Sequence, residues 1–298
     1  MRRLAVNVDV DGIGLYYGIH GLSGAPAVDP AWSLGVPRFL ELFEAFGVHG
    51  TFFAVASDLE SPANRAVAED VVRRGHELAS HSYSHHYDLS RRPEAEIEDD
   101  LARAEERLSS IRGTPVSGFR APGYNLSPAL RAVLARRGYR YDSSILPCPA
   151  YFAARAAVIG GLRAVGRQSQ SIVGRPQDAF GATAPTTLEG GVLELPISVL
   201  TALRLPLIGT SLSLLGETAV SALGPLLRSL PFANIEFHAI DLLDADDVPD
   251  PALRRAQPDL RVPRAKKRAA FAAALRALVS GATARTLEEH AAELSTPT

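Results

Sequence analysis

Two aspartates separated by one residue, Asp9 and Asp11, close an apolar run; two histidines four apart, His81 and His85, close another. Residues i and i+2 of a strand share a side, so the aspartates present two carboxylates together, which repel unless something divides their roles. A metal cation does that: one carboxylate binds it and the other stays free as a base. Capping of a turn at Gly12 is the plainer reading of the same pair. His81-Ser82-Tyr83-Ser84-His85 points two rings the same way on a helix or tight loop. Imidazole suits zinc and its neighbours, and two imidazoles with a carboxylate leave a catalytic ion open positions. The alternative is two packing or capping histidines, with His86 a solvated third. His20, His49, His76 and His290 show no partner pattern and read as structural or exposed. Arg120 ends a further apolar run and would fix the free carboxylate in direction. Glu194 and His238 end two late ones.

These residues are positioned by an alternation of strands and helices. Residues 4–10, 51–56, 77–80, 116–120, 139–142, 192–195 and 234–238 read as strands, the last two closing the series. Residues 34–46, 62–74, 93–111, 128–137, 264–279 and 286–294 carry helical stripes or helix start and stop signals. From 147 to 191 the order of elements is not legible. Repeated strand–helix units give parallel strands with helices outside, and in a parallel barrel the strand C-termini share the face that carries the site. Asp9, Asp11, His81, His85, Arg120, Glu194 and His238 would then meet at one mouth. The expected fold is α/β, one domain over 1–298 with C-terminal helices from about 264.

Composition narrows the function. The 298 residues are 46% hydrophobic with a formal charge of −2, which excludes a disordered chain and leaves no basic excess for nucleic acid. The lone Cys148 sits between two prolines and reads as a buried or incidental thiol. Only five uncharged residues, Leu4 to Val8, follow Arg3 before Asp9, too few for a secretory apolar core, and no run is long enough to span a bilayer. The expected location is the cytoplasm.

The motifs, in order, resemble those of the polysaccharide deacetylases, the NodB-homology or carbohydrate esterase family 4 group. Val8-Asp9-Val10-Asp11-Gly12 matches its aspartate pair, and Gly50-Thr51-Phe52-Phe53 its Thr-Phe-Phe strand. His81-Ser82-Tyr83-Ser84-His85, preceded by Gly75-His76-Glu77-Leu78-Ala79-Ser80, matches its histidine motif. Phe119-Arg120-Ala121-Pro122 matches Arg-x-Pro, and Glu236-Phe237-His238 its last histidine. The resemblance spans about Leu4 to Asp244.

It implies a distorted (β/α) barrel of about seven parallel strands and a divalent metal, zinc foremost. It implies hydrolysis of an N-acyl group, acetyl or formyl, on an amino sugar. By position, Asp11, His81 and His85 would hold the metal, Asp9 would be the base, Arg120 its tether and His238 the acid, with Pro122 and Tyr124 toward the substrate. Val10 splits the aspartates as in the branch of lipid-linked formyl-sugar deformylases. The family's Asp-x-Trp element, which tunes the acid histidine, has no match here, since the only tryptophan is Trp32; Asp241 and Glu194 are the candidates to replace it. A ureide or cyclic-amide hydrolase of the allantoinase-like type and a non-catalytic glycan-binding member are the alternatives. The apolar stretch from Leu195 to Phe232 reads as a core helix with a buried strand, or as a flap lying on the inner membrane face to admit a polyprenyl- or other lipid-linked substrate.

Overall fold

The computed structural model describes residues 2–200 and 204–295. Its strands are β1 (Arg2–Val10), β2 (Thr51–Ala54), β3 (Glu77–Ser80), β4 (Gly118–Phe119), β5 (Tyr141–Asp142), β6 (Thr186–Thr187), β7 (Leu193–Glu194), β8 (Val199–Leu200), β9 (Leu205–Pro206), β10 (Phe232–His238) and β11 (Ala282–Ala284). The helices are α1 (Ile13–Ile19), α2 (Val36–Ala45), α3 (Pro62–Arg73), α4 (Glu94–Arg112), α5 (Pro128–Arg136), α6 (Pro149–Ala164), α7 (Gly209–Ala222), α8 (Gly224–Leu227), α9 (Pro251–Ala256), α10 (Arg264–Val279) and α11 (Leu287–Leu294). Strands run parallel in the order β10-β1-β2-β3-β4-β5-β7, β6 adds antiparallel to β7, and β8 pairs with β9. The sheet curls into a half-barrel with helices outside, the expected distorted (β/α) architecture.

The side between β7 and β10 is bridged by irregular chain. Ser198 N–H donates to Asn234 O at 2.9 Å, Asn234 Nδ2 donates to Leu195 O at 2.9 Å, and Glu236 N–H donates to Leu207 O at 3.2 Å. Inside, Asn7 Nδ2 donates to Asn234 Oδ1 at 2.5 Å, so β1 and β10 are joined by side chains as well as backbone.

Parallel strands are covered on both faces and read as continuous apolar runs. Leu4 through Val10 of β1 are all buried. The outer cover begins with α2, whose Phe39 packs its ring 5.2 Å from Phe237 of β10, with Phe271 of α10 4.8 Å from Phe237 and stacked 6.2 Å from Phe39. Ahead of α2 the chain makes one wide turn, Ala31–Gly35. A Cβ on Gly35 would lie 2.3 Å from Ala239 O, so this glycine is required by space, letting the turn abut the residue after His238.

Four expectations change. Residues 147–191 hold α6, whose alanines and glycines form no stripe and of which only Phe152 and Ile159 are buried. The strand series does not end at β10, because β11 follows α10 and pairs with β1. Helix α1 follows directly on the aspartate pair. The stretch from Leu195 to Phe232, of which residues 201–203 lie outside the described residues, contains α7 packed along α10, with Leu212 and Val220 buried. Leu214 and Leu215 are its exposed leucines, at 69% and 39%. Leu212 is therefore core and no part of a membrane-facing surface. No helix among the described residues is long and apolar enough to cross a membrane.

Candidate active site

Strand register sets the level of the site. Asp9 lies beside Phe53 on one neighbour and beside His238 on the other, and His81 N–H donates to Ala54 O at 3.0 Å. Asp11, His81 and His85 converge just above the strand ends. Asp11 Oδ1 is 3.4 Å from both His81 Nε2 and His85 Nε2, and the two nitrogens are 3.2 Å apart. Two ligands each ~2.1 Å from a tetrahedral ion are separated by about 3.4 Å, so the three atoms match one face of such a site. All three residues are buried, and Asp11 Oδ1 has no hydrogen-bond donor among the described residues.

The ring nitrogens are presented correctly. His81 Nδ1 lies 2.8 Å from Arg120 O; a carbonyl only accepts, so Nδ1 carries the proton and Nε2 offers its lone pair. Burial pushes His85 down to about 4 against the pull of Asp11, which favours the neutral ring a metal needs. For Asp11, burial acts upward, but His85 and His81 hold the carboxyl well below the usual range.

The histidine loop is backbone-strained and heavily tied. Ser82 and His85 have φ of 66° and 50°, a region that costs such residues roughly 1–3 kcal/mol each. His85 N–H donates to Ser82 Oγ at 2.9 Å, and the Asp100 carboxylate of α4 accepts Tyr83 N–H at 2.8 Å and Ser84 N–H at 3.1 Å. Ser82 and Asp100 escaped the sequence reading; an acid on the buried face of a helix was the available signal.

Arg120 is fully buried and makes four hydrogen bonds. Nη1 donates to Asp9 Oδ1 at 2.5 Å and to Asn7 Oδ1 at 2.6 Å, Nε to Ser143 O at 2.7 Å, and Nη2 to Ser143 Oγ at 2.8 Å. The guanidinium lies 4.2 Å over the Phe53 ring. Asp9 thus has one oxygen fixed, while Oδ2 stands 3.8 Å from His81 Nε2.

Pro122 is buried in the turn that follows. Gly123 and Tyr124 both take positive φ, 59° and 62°, and this swings the Tyr124 hydroxyl across the barrel to donate to Glu236 Oε1 at 2.6 Å. Glu236 Oε1 is also 3.7 Å from His238 Nε2. Ligand-type atoms of Asp9, Glu236 and His238 lie within 4.8 Å of one another. Glu236 carried no role from sequence. Of the two carboxylates named there to tune His238, Asp241 accepts the His238 backbone N–H at 2.8 Å. Glu194 does not join the mouth: it accepts Ile145 N–H at 3.0 Å and pairs with the buried Asp142, because β5 and β7 set those two acids side by side. His86 is exposed, His76 and His290 are buried and hydrogen-bonded, and Cys148 is buried.

A cleft of about 780 Å³ opens beside the site at Gly12 and is lined by Ile13, Asp29, Ser57, Asp58 and Asn64. A Cβ on Gly12 would lie 2.7 Å and 2.8 Å from the carboxylates of Asp29 and Asp58, which explains the glycine of the aspartate motif. Asp29 accepts Ile13 N–H at 3.0 Å, and Asp58 accepts Trp32 Nε1–H at 3.1 Å.

Residues 27–141 match the family model described as polysaccharide deacetylase, a range that holds His81, His85 and Arg120. A peptidoglycan deacetylase of Helicobacter pylori is 27% identical over 147 residues, 48% of this chain and 49% of the relative. The match therefore spans about half the length of that protein. Among solved structures, one from Mycobacterium smegmatis assigned as a polysaccharide deacetylase aligns with a TM-score of 0.60 at 19% identity, covering 99% of this chain and 93% of that one. The PuuE allantoinase aligns with a TM-score of 0.52 at 17% identity, covering 90% and 89%. Both likenesses concern the fold, which hosts more than one hydrolysis. Residues 27–141 thus carry a likeness in sequence to the polysaccharide deacetylases, and over the whole chain the likeness is one of fold.

Proposed function

We propose that this chain is a metal-dependent hydrolase that removes an N-acyl group, acetyl or formyl, from an amino sugar. The observation that carries the reading is the buried Asp11–His81–His85 triangle beside an aspartate locked by Arg120. The donor set fits a divalent ion: two imidazole nitrogens, with His85 already shifted towards its neutral form while against burial Asp9 and Asp11 hold His81 upward until a cation takes the place of its proton, and one carboxylate oxygen lacking any other partner. Charge points the same way, since Asp9 and Glu236 already act on the buried Arg120 guanidinium and Asp11 adds a further buried carboxyl group that Arg120 does not serve. When bound, such an ion, zinc foremost, polarises the acyl oxygen and acidifies water.

The remaining work falls to the chain. Asp9 Oδ1 is held by Arg120, so Oδ2 is the oxygen free to take a proton from the attacking water. The hydrogen bonds from Arg120 to Asn7, Asp9 and Ser143 fix the guanidinium and so remove rotational freedom from that carboxylate. His238, at the opposite side of Asp9, returns a proton to the nitrogen as the C–N bond breaks.

A lipid-linked sugar handled at the cytoplasmic membrane face is the narrower form of the same reading, and it rests on the split aspartate motif. The test is release of acetate or formate from acylated amino sugars, with and without a lipid tail, by zinc-loaded protein. Faster turnover of the tailed substrate supports the narrower form, and equal efficiency removes it. Turnover of a cyclic ureide in place of all acylated sugars would replace the reading with the allantoinase-like one.

A further inference from the structure

Glu236 is a buried carboxyl group at the mouth to which neither the cation triangle nor the Arg120 tether gives a task. We propose that Glu236, braced by Tyr124, is the positioning residue of His238, orienting its ring and holding its proton toward the leaving nitrogen. This rests on the deacylase reading for its chemistry, and on geometry for the pairing.

Residues 236 and 238 of β10 point to the same side of the sheet, and both project into the barrel. Glu236 is fully buried, whereas the His238 side chain is 22% exposed, so the carboxyl lies beneath the ring rather than where a sugar would sit. Its Oε1 accepts the Tyr124 hydroxyl and faces His238 Nε2, while Oε2 has no partner among the described residues. An ionised carboxylate in that place needs a cation beside it.

The charged groups facing His238 are Glu236 on its own strand, Asp9 and Asp11 from the end of β1, and Asp241 from the turn that follows. Asp9 is spent on Arg120, Asp11 on His81 and His85, and Asp241 on the His238 backbone N–H. The His238 ring also accepts the Asp241 backbone N–H, and Glu236 also feels Arg120, but Glu236 is the carboxylate that reaches a ring nitrogen, at 3.7 Å. Burial acts to lower His238, but these carboxylates, Glu236 first among them, lift it to about 9. The brace has a conformational cost as well: Tyr124 is held in the left-handed region, where a tyrosine is strained, and that conformation carries its hydroxyl to Glu236.

The experiment uses zinc-loaded protein and two variants. Glu236→Gln removes the charge and keeps an oxygen for Tyr124; Tyr124→Phe removes only the brace. The readouts are zinc content, the His238 imidazole titration by NMR, and the pH dependence of kcat. With Glu236→Gln, zinc stays stoichiometric and the His238 pKa falls by about one unit, a tenfold change in proton affinity. The kcat falls about tenfold or more with KM little changed, and its alkaline limb moves to lower pH. Tyr124→Phe moves the titration the same way by less, and it carries the test should Glu236→Gln fail to fold. An unmoved His238 titration overturns the proposal. Loss of zinc from Glu236→Gln also overturns it, by making Glu236 a cation ligand. If the titration shifts while wild-type protein releases no acid from any acylated sugar, the pairing stands and the deacylase reading falls.

Discussion

The two ends of the barrel bury carboxyl groups on the same strands and treat them differently. At the N-terminal end, Glu77 opens β3, and its oxygens are fully used. Oε1 accepts the Tyr141 hydroxyl at 2.7 Å; Oε2 accepts the Thr51 hydroxyl at 2.7 Å and Glu288 N–H at 3.0 Å. At the C-terminal end, Asp11 follows β1 and the segment after β3 brings His81 and His85 to it, so that Asp11 Oδ1 has two imidazole nitrogens near it and no donor among the described residues. Buried polar atoms are normally paired, so a finished knot reads as stability and an open one as a place for an external partner. Sequence type cannot separate Glu77 from Asp11; the inventory of donors around each does.

The sharpest way to break this contrast is at the mouth. His81→Ala is expected to lose both zinc and activity to background while remaining folded; elemental analysis and circular dichroism check it, and a loaded, active variant would refute the ligand assignment. Asp9→Asn comes next: zinc retained, turnover down ~100-fold or more, the usual scale for a general base. Loss of zinc in Asp9→Asn with retention in Asp11→Asn would reverse the two aspartates. Zinc itself, at one hundred times its Kd, should stabilise the wild type by about 2.7 kcal/mol, measured by denaturation, and should do far less for Asp11→Asn.

The floor is expected to answer oppositely. Glu77→Gln removes one acceptor oxygen from a buried knot and should cost roughly 1–3 kcal/mol of stability, leaving zinc content and kcat per folded molecule unchanged. Its pH dependence has a definite sign. Burial, then Glu288, raises Glu77 to about 7 from an ordinary 4.5, so the folded state binds the proton more tightly than the unfolded one. The stability linked to this group is complete below 4.5 and is lost as pH rises through about 7. Urea denaturation from pH 4 to 8 should show that decline in the wild type and a flatter line in Glu77→Gln.

Much of this contrast is legible in the chain before folding, and the gaps have physical causes. Strands β1, β2 and β3 stand out because burial on both faces forces continuous apolar runs, and a polar residue ending such a run then becomes conspicuous. Glu236 was missed although Ile235 and Phe237 flank it; the two-residue period that paired Asp9 with Asp11 also pairs Glu236 with His238. Helix α6 has no stripe because it buries only Phe152 and Ile159, so periodicity had nothing to register. The apolar residues of α7 look like a surface for lipid until α10 is seen to cover Leu212 and Val220. Glu194 misled because a strand end is necessary but not sufficient for the mouth: Asp142 beside it absorbs its carboxyl group.

The position of β1 has a consequence for synthesis. Its neighbour β2 follows after a connection of 40 residues, whereas β10 and β11 come more than two hundred residues later. The residues of the triangle, Asp11, His81 and His85, therefore follow β1 and β3, which flank β2, and lie close together in sequence. His238 needs closure across more than two hundred residues, the slow kind of contact, and until then one edge of β1 stays open to foreign strands. The Asp11–His81–His85 part of the mouth is thus local in sequence, and the His238 part distant. A fluctuation that peels β10 away would strip the ring from the site while leaving the triangle intact.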